Sequence, residues 1–516
     1  MRVLFVWFNF DCPIGFSHGL AVLSHELKAA GHSVGLLHIN EAMGMPWNPS
    51  SIVRAILREH PDIVGFSFGT NHAWAARELA AAVKRALPGT ALVCGGIHAT
   101  IVPEEVAAWE GVDLAFAGEA DDHRLCAIVE RLGKGSVPVA SPGVWTRGPR
   151  GVRGNPMPPP VDLAAAPRPA DLDLFDHRRI LELKRGYADA ISGRGCAYRC
   201  TYCHNQLLRS RYLRDLGCPR AGDLGYVRKR SVDDVIGELA GMQQRHGKRI
   251  KVFSFTDDMF ITEKKWFNDF LEAYRAAFAQ PLVFCSTVHQ IDDEVARRAA
   301  EAGVYMVRLG VESGSPRIRR EVLGRPGSND TIRRAVGALK AAGVNVLTFN
   351  MLAIPGERMS DVWATFRFAA ELRADAVQIS VFWPYPHTAL YELCRTRGLL
   401  TERVAVRGNY LSVSPLRWPA ARERFYDRIR AFYAAALNRF LRGPGRTRFG
   451  AVLRDMAAMP DEEWAAGGAR ALVAHARRLE KDLGRRGGAL YTTPFPERPD
   501  ILLLRDPDRR RPLINV

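Results

Sequence analysis

Cysteine is scarce in this chain, with nine in 516 residues. They are too few and too unevenly spaced for a disulfide framework, so reduced thiols are expected. No apolar run approaches the ~20 residues that a membrane-spanning helix requires. The start, MRVLFVWFNF, is a short apolar run with no cleavage region behind it. It reads as a first β-strand rather than a signal peptide, and a cytoplasmic location is expected. Internal repeats and extended low-complexity segments are missing. A second C-x2-C pair, which a common structural zinc site would need, is missing as well. Acidic charge is outnumbered: 72 Lys and Arg against 55 Asp and Glu give +17. Such a balance can serve nucleic acid, anionic lipid or a phosphorylated substrate. The arginines are dispersed, however, and even Arg505–Pro512 carries two aspartates. Solvated basic faces are the favoured reading, and nucleic acid is not an expected partner.

The cysteines that are present are concentrated. Three fall in one loop, Gly195-Cys196-Ala197-Tyr198-Arg199-Cys200-Thr201-Tyr202-Cys203, with the spacing C-x3-C-x2-C. Thiolates are the usual ligands of iron–sulfur clusters. Three of them on a four-iron cubane leave one iron open, and an open metal position marks a catalytic site rather than a structural one. A zinc site with a distant fourth ligand is the alternative on spacing alone.

Two stretches alternate strand and helix signals. In the first, apolar runs at Val3–Phe8, Val34–Ile39, Ile63–Phe68, Ala91–Cys94 and Asp113–Ala117 are separated by helical stretches such as Ala73–Leu87. This rhythm predicts an open parallel sheet with helices on both faces. Residues 141–185 carry eight prolines and read as a linker. Strand signals resume at Ala188–Ser192, Lys251–Phe255, Leu282–Val288, Met306–Val311, Val344–Ala353 and Ala376–Phe382, with helices between. The helix opening at Ser231-Val232-Asp233-Asp234 has a capping-box start. After about residue 400 the pattern is helical, and Phe425–Leu441 carries an apolar stripe that reads as packing surface. Trp418 and the stretch Asn409–Val413 match nothing assignable.

The three-cysteine loop, with aromatic Tyr202 before its last cysteine, resembles the signature of the radical S-adenosylmethionine (SAM) enzymes. The resemblance implies that Cys196, Cys200 and Cys203 hold a [4Fe–4S] cluster whose open iron chelates SAM. The loop follows the first of six strands, and in barrels of this kind the chemistry sits at the strands' C-terminal ends. Four further strand ends resemble the family in the right order. Asp257 and Asp258 are the implied partners of the SAM amino group. Arg308, Glu312 and Ser313 belong to the ribose-binding segment, and Arg325 is implied to hold the SAM carboxylate bidentately. Ile354 belongs to the apolar wall for adenine. Pro386-His387-Thr388 stands where the family usually reads Pro-Gly-Thr, which leaves the backbone at His387 in question.

The first domain resembles the cobalamin-binding domain fused to one radical SAM subfamily. The matching segments give Ser67, Thr70, Gly95, Gly96, His98, Gly118 and Glu119 as implied cobalamin contacts. The Asp-x-His-x-x-Gly motif of other cobalamin domains is absent, for the loop reads Asp11-Cys12-Pro13-Ile14-Gly15. His18 and His98 are candidates for a lower cobalt ligand, although a surface or capping role is the simpler reading of each. Cys12, Cys94 and Cys126 raise the alternative of a second cluster, as in methylthiotransferases, but Cys94 and Cys126 read as ordinary buried cysteines.

The fold expected is therefore α/β. It comprises an N-terminal open parallel sheet of Rossmann or flavodoxin type (1–140), the linker (141–185), a partial (βα)6 TIM-type barrel (186–400) and a mainly helical substrate-capping region (401–516). The implied chemistry begins with a 5′-deoxyadenosyl radical. It ends most often in methylation of an unactivated carbon of a small metabolite or natural-product intermediate. Ring closure, ring contraction or oxidation without methyl transfer is an alternative, as is methylthiolation of RNA or protein. The expected partners are a small-molecule substrate and an electron donor such as flavodoxin or ferredoxin.

Overall fold

The structure is a computed structural model that describes residues 1–137, 139–402, 413–443, 445–487, 489–493 and 500–505. Residues 409–412 and 506–512 of the stretches named above lie outside the described residues. The chain divides into two compact units. One holds Met1–Tyr198 with Cys203–Pro281; the other holds Arg199–Tyr202 with the chain from Leu282 onward.

The first unit is built on β1 (Arg2–Phe8), β2 (Ser33–Ile39), β3 (Ile63–Ser67), β4 (Ala91–Gly95) and β5 (Leu114–Phe116). These strands pair in parallel in the order β2-β1-β3-β4-β5, the doubly wound order of flavodoxin-like sheets. Because side chains alternate across a strand, β1 sends Leu4, Val6 and Phe8 into one core and Val3 and Phe5 into the other. Helices α1 (His18–Ala29), α2 (Pro49–Arg58), α3 (Ala73–Ala86), α4 (Ile97–Ile101), α5 (Pro103–Ala107) and α6 (Arg124–Gly133) cover the two faces. Ile52 and Ile56 of α2 and Leu79 of α3 fill the first core, while Leu20 of α1 and Ile128 of α6 fill the second.

The proline-rich stretch is more than a linker. Its hairpin, β6 (Val144–Gly148) and β7 (Gly151–Gly154), adds two antiparallel strands to β5. Helix α7 (His177–Leu183) follows, and its Ile180 joins the second core. Prolines 142, 149, 156, 158, 159 and 160 flank these strands rather than interrupt them, as the missing N–H requires.

The unit continues with β8 (Tyr187–Ala190), the two-residue β9 (Gly193–Arg194) and β10 (Arg228–Lys229), and β11 (Val252–Phe255). Strands β8 and β11 pair in parallel, and β9 and β10 antiparallel. Helices α8 (His204–Asp215), α9 (Val232–His246) and α10 (Lys264–Ala277) lie between and after them. The expected cap of α9 is present, with Ser231 accepting from the Asp234 amide.

In the second unit β12 (Leu282–Ser286), β13 (Val304–Glu312), β14 (Asn345–Leu352) and β15 (Ala376–Val381) run parallel in that order. The intervening helices are α11 (Asp293–Glu301), α12 (Asn329–Ala341) and α13 (Met359–Leu372), and α14 (Ala389–Thr396) follows β15. Strand, helix and parallel strand thus recur as the six-strand reading expects. The later region is helical, with α15 (Ala420–Ile429), α16 (Tyr433–Asn438) and α17 (Gly445–Ala458). The apolar stripe is broken by a tighter turn at Arg430–Phe432, and Phe425 and Phe440 pack on Trp363 of α13. Two strands were not anticipated. β16 (Leu490–Thr492) pairs with β17 (Ile501–Arg505), and β17 lies antiparallel along β15. No helix among the described residues is long and apolar enough to cross a membrane.

Candidate functional site

Within the first unit a cavity of about 480 Å³ opens at the C-terminal ends of β1, β3, β4 and β5. Its depth is apolar, with Phe5 and Val93 on the sheet facing Leu20 and Leu23 of α1 and Leu125 and Val129 of α6. Its rim carries the anticipated glycine-rich segments, with Ser67, Gly95, Gly96, Gly118 and Glu119 among the lining residues. Gly96 has φ +91°, and a Cβ there would lie 2.9 Å from both the amide nitrogen and the carbonyl oxygen of Phe68. Only glycine fits that turn. Thr100 links the rim by donating to the Gly96 carbonyl (2.9 Å) and accepting from the Gly118 amide (3.2 Å).

Thr70 and His98 are buried together, with the Thr70 hydroxyl 3.3 Å from His98 Nδ1. The His98 ring stacks on Trp109 and is not among the cavity-lining residues. His18 does line the cavity, and its Nε2 pairs with Glu238 at 2.9 Å. Cys94 belongs to one core of the sheet and Cys126 to the other, so the two cannot ligate one cluster.

The rim's charges are paired. Glu119 accepts from the Val161 amide (3.0 Å), lies 3.3 Å from Arg194 and is hydrogen-bonded to Arg228. Asp121 takes both arms of Arg194, at 3.1 and 2.6 Å. Burial alone would raise the Asp121 carboxyl, but the Arg194 guanidinium holds it below its ordinary value. Arg194 immediately precedes the three-cysteine loop in sequence. No local periodicity could have paired it with Asp121, 73 positions away.

The two anticipated aspartates have different fates. Asp257 is 2% exposed and saturated: it accepts from the Ser192 amide (3.0 Å), the Ser192 hydroxyl (2.6 Å) and the Lys229 ammonium (3.0 Å). Lys229 lies over the rings of Phe260 and Trp266, at 4.8 and 4.5 Å. Asp258 instead lines the cavity beside Gly195 and Asn205. Burial raises its carboxyl, against hydrogen bonds from Asn205 and the Gly195 amide. The same cavity therefore runs from the glycine-rich sheet edge to the base of the cysteine loop. Cys203 N-caps α8, where the positive end of the helix favours a thiolate. Cys196 and Cys203 are half-buried.

In the second unit, Thr201 anchors the middle of the loop by donating to Leu323 (3.1 Å) and Val322 (2.7 Å). Cys200 is buried, and Arg325 Nη1 lies 3.7 Å from its sulfur and 3.3 Å from the Tyr202 hydroxyl. Glu312 ends β13 in the left-handed region (φ +66°) and lies 3.4 Å from Arg325. Strain of this kind, about 1–2 kcal/mol, collects at functional sites. Burial raises the Glu312 carboxyl, opposed by Arg325 and Tyr202. Arg308 is half-buried on β13. The Ser313 hydroxyl is committed to Thr365 (3.1 Å) and the Ser315 amide (3.2 Å). Ile354 is fully buried among Ile318, Leu323, Phe382 and Leu390. His387 adopts φ +69°, so a histidine keeps the left-handed turn in which a glycine would be at ease. Thr388 then caps α14, accepting from the Tyr391 amide at 3.2 Å.

Two family models match separate stretches of the chain. Residues 190–369 match the Radical SAM superfamily, and residues 13–125 match the B12 binding domain. An uncharacterized methyltransferase of Pyrococcus horikoshii is 28% identical over 388 residues, which are 74% of this chain and 79% of that protein. The anaerobic magnesium-protoporphyrin IX monomethyl ester cyclase of Cereibacter sphaeroides is 23% identical over 447 residues, covering 82% and 68%. Among solved structures, the radical SAM methyltransferase TsrM of Kitasatospora setae, with cobalamin and a [4Fe–4S] cluster bound, superposes with a TM-score of 0.63. That match is 18% identical and covers 92% of this chain and 99% of that one, so it is a likeness of fold. The chain carries a radical SAM domain and a B12 binding domain. Its cofactors are accordingly a [4Fe–4S] cluster, SAM and cobalamin. The residues present fit them, because three thiols share one loop and the apolar cavity has a glycine-built rim, where even a Cβ at Gly96 would lie 2.9 Å from the Phe68 backbone.

Proposed function

We propose that this enzyme methylates an unactivated carbon of a small metabolite or natural-product intermediate. The observation that carries the reading is the single cavity that joins the glycine-rich sheet edge to the base of the cysteine loop. Bound together, the cofactors supply a carbon-centred radical and a transferable methyl group; the protein supplies enclosure and orientation. Cys196, Cys200 and Cys203 are assigned to the cluster. Ser67, Gly95, Gly96, Gly118 and Glu119 are assigned to cobalamin. Asp258 takes over from Asp257 as the carboxylate available to a ligand, because Asp257 is already saturated by Ser192 and Lys229. On the second unit Tyr202, Arg308, Glu312, Ser313 and Ile354 are assigned to the SAM side.

The helical region after residue 400 is proposed to cap the substrate. In support, Arg422 of α15 donates to the Glu357 carbonyl (3.0 Å) and Tyr426 to the Glu357 carboxyl (2.9 Å), in the turn that follows β14. A cytoplasmic setting and a flavodoxin- or ferredoxin-type electron donor complete the reading. Anaerobic turnover with a competent substrate is expected to release S-adenosylhomocysteine and 5′-deoxyadenosine together. Absence of the homocysteine product from such a turnover would sink it.

A second reading, transformation without methyl transfer, is favoured by the likeness to the cyclase. It would give 5′-deoxyadenosine alone. Methylthiolation, which would need about eight irons per chain rather than four, is disfavoured by the opposite-face placement of Cys94 and Cys126.

A further inference from the structure

We propose that Arg325 raises the reduction potential of the cluster by donating an N–H···S hydrogen bond to Cys200. The inference rests on the three-cysteine cluster assigned above. Hydrogen bonds to ligand sulfur are one of the levers by which a protein sets an iron–sulfur potential, and outer partners of metal ligands orient and tune them. Reduction adds electron density to the cluster and its thiolates. A cationic donor at a thiolate stabilises that added charge, so the potential moves upward.

The geometry is specific to this donor. The Arg325 side chain is only 17% exposed. Its Nη2 donates to the Gly310 carbonyl at 2.9 Å, and this fixes the plane in which Nη1 reaches Cys200 Sγ at 3.7 Å. Glu312 Oε1, 3.4 Å from Nη1, holds the fork from another side. The backbone is cleared for it, since a Cβ on Gly310 would lie 2.8 Å from Arg325 Nη2 and 2.6 Å from Glu312 Oε1. The strained φ of Glu312 thus serves a definite end, which is to bring its carboxylate to the guanidinium. These contacts also occupy the fork that the sequence reading gave to the SAM carboxylate. Arg325 acts through Cys200 and is a positioning residue.

The test is an EPR-monitored redox titration of anaerobically reconstituted protein without SAM or substrate, in wild type, Arg325→Met, Arg325→Lys and Gly310→Ala, each after iron quantitation. Arg325→Met is expected to lower the reduced-to-oxidised ratio at a fixed potential at least tenfold, which is 59 mV for a one-electron couple. Arg325→Lys, which keeps a cation without the fork, should fall between wild type and Arg325→Met. Gly310→Ala should shift in the same direction with the arginine intact. If Arg325→Met fails to hold four irons, the other two variants decide. Wild-type potentials in every four-iron variant would overturn the proposal. Failure of the wild type itself to take up about four irons would instead sink the cluster assignment.

Discussion

Glu357 offers a sharp test of the second unit's packing. Its side chain is fully buried in the turn between β14 and α13, and burial pushes its carboxyl up to about 8 against hydrogen bonds from Tyr426 and the Ile354 and Ala353 amides. Its Oε1 has no hydrogen-bond partner, so the acid is held neutral. In the unfolded chain the same group ionises near the ordinary carboxylate value of 4.5. Between those two values the folded state carries a proton that the unfolded state has lost. Folding stability is then full below pH ~4.5 and falls by about 1.4 kcal/mol per pH unit as pH rises toward 8. Glu357→Gln removes the titration while keeping the shape. At pH 6 the variant should be the weaker protein, because its buried amide N–H groups go unpaired at a cost of about 1–3 kcal/mol. Between pH 6 and 8 wild type should lose about 2–3 kcal/mol relative to the variant. For a unit of this size that moves the difference in Tm by roughly 5–10 °C. Thermal melts of the two proteins in matched buffers from pH 6 to 8 measure it. Parallel Tm–pH curves would refute the assignment of Glu357 as a buried neutral acid.

Three other outcomes are expected. Gly96→Ala should destabilise the turn at the cavity rim and, with it, lose most bound corrinoid, read from the Tm and from the visible absorbance of the reconstituted protein, because its Cβ would press on the Phe68 backbone. Asp257→Asn should cost about 3–5 kcal/mol in chemical denaturation, since it leaves the Lys229 ammonium buried without its anion. Asp258→Asn should cost far less in the same assay, because an amide oxygen can still accept from Asn205 and the Gly195 amide.

The strands that carry the cofactor rim were legible because each is a short apolar run ended by glycine or a polar residue, and burial on both faces forces that composition. The cysteine spacing was legible because metal geometry acts over a few residues. The β6–β7 hairpin was hidden by its glycines, arginines and flanking prolines, which signal loop, and only Val144, Trp145 and Val152 pack against a core. Strands β16 and β17 were hidden for another reason: they are short and follow a long helical stretch. Site chemistry was half visible. Asp257 and Asp258 are adjacent and alike in sequence, and only Ser192 and Lys229, 65 and 28 positions from Asp257, distinguish them. The contact of Arg325 with Cys200 spans 125 positions. Nothing short-range announces it.

Strand β17 also has a bearing on how the protein can be handled. It covers the open edge of β15, and Tyr491 of the adjoining β16 reaches the Ala369 and Ala374 carbonyls (3.4 and 3.1 Å). Trimming the chain before residue 489 would bare a row of unpaired amides and carbonyls along β15, beside side chains as apolar as Leu502 and Leu504 had covered. Such an edge recruits other chains. The shortened protein is expected to self-associate even where every cofactor contact is untouched.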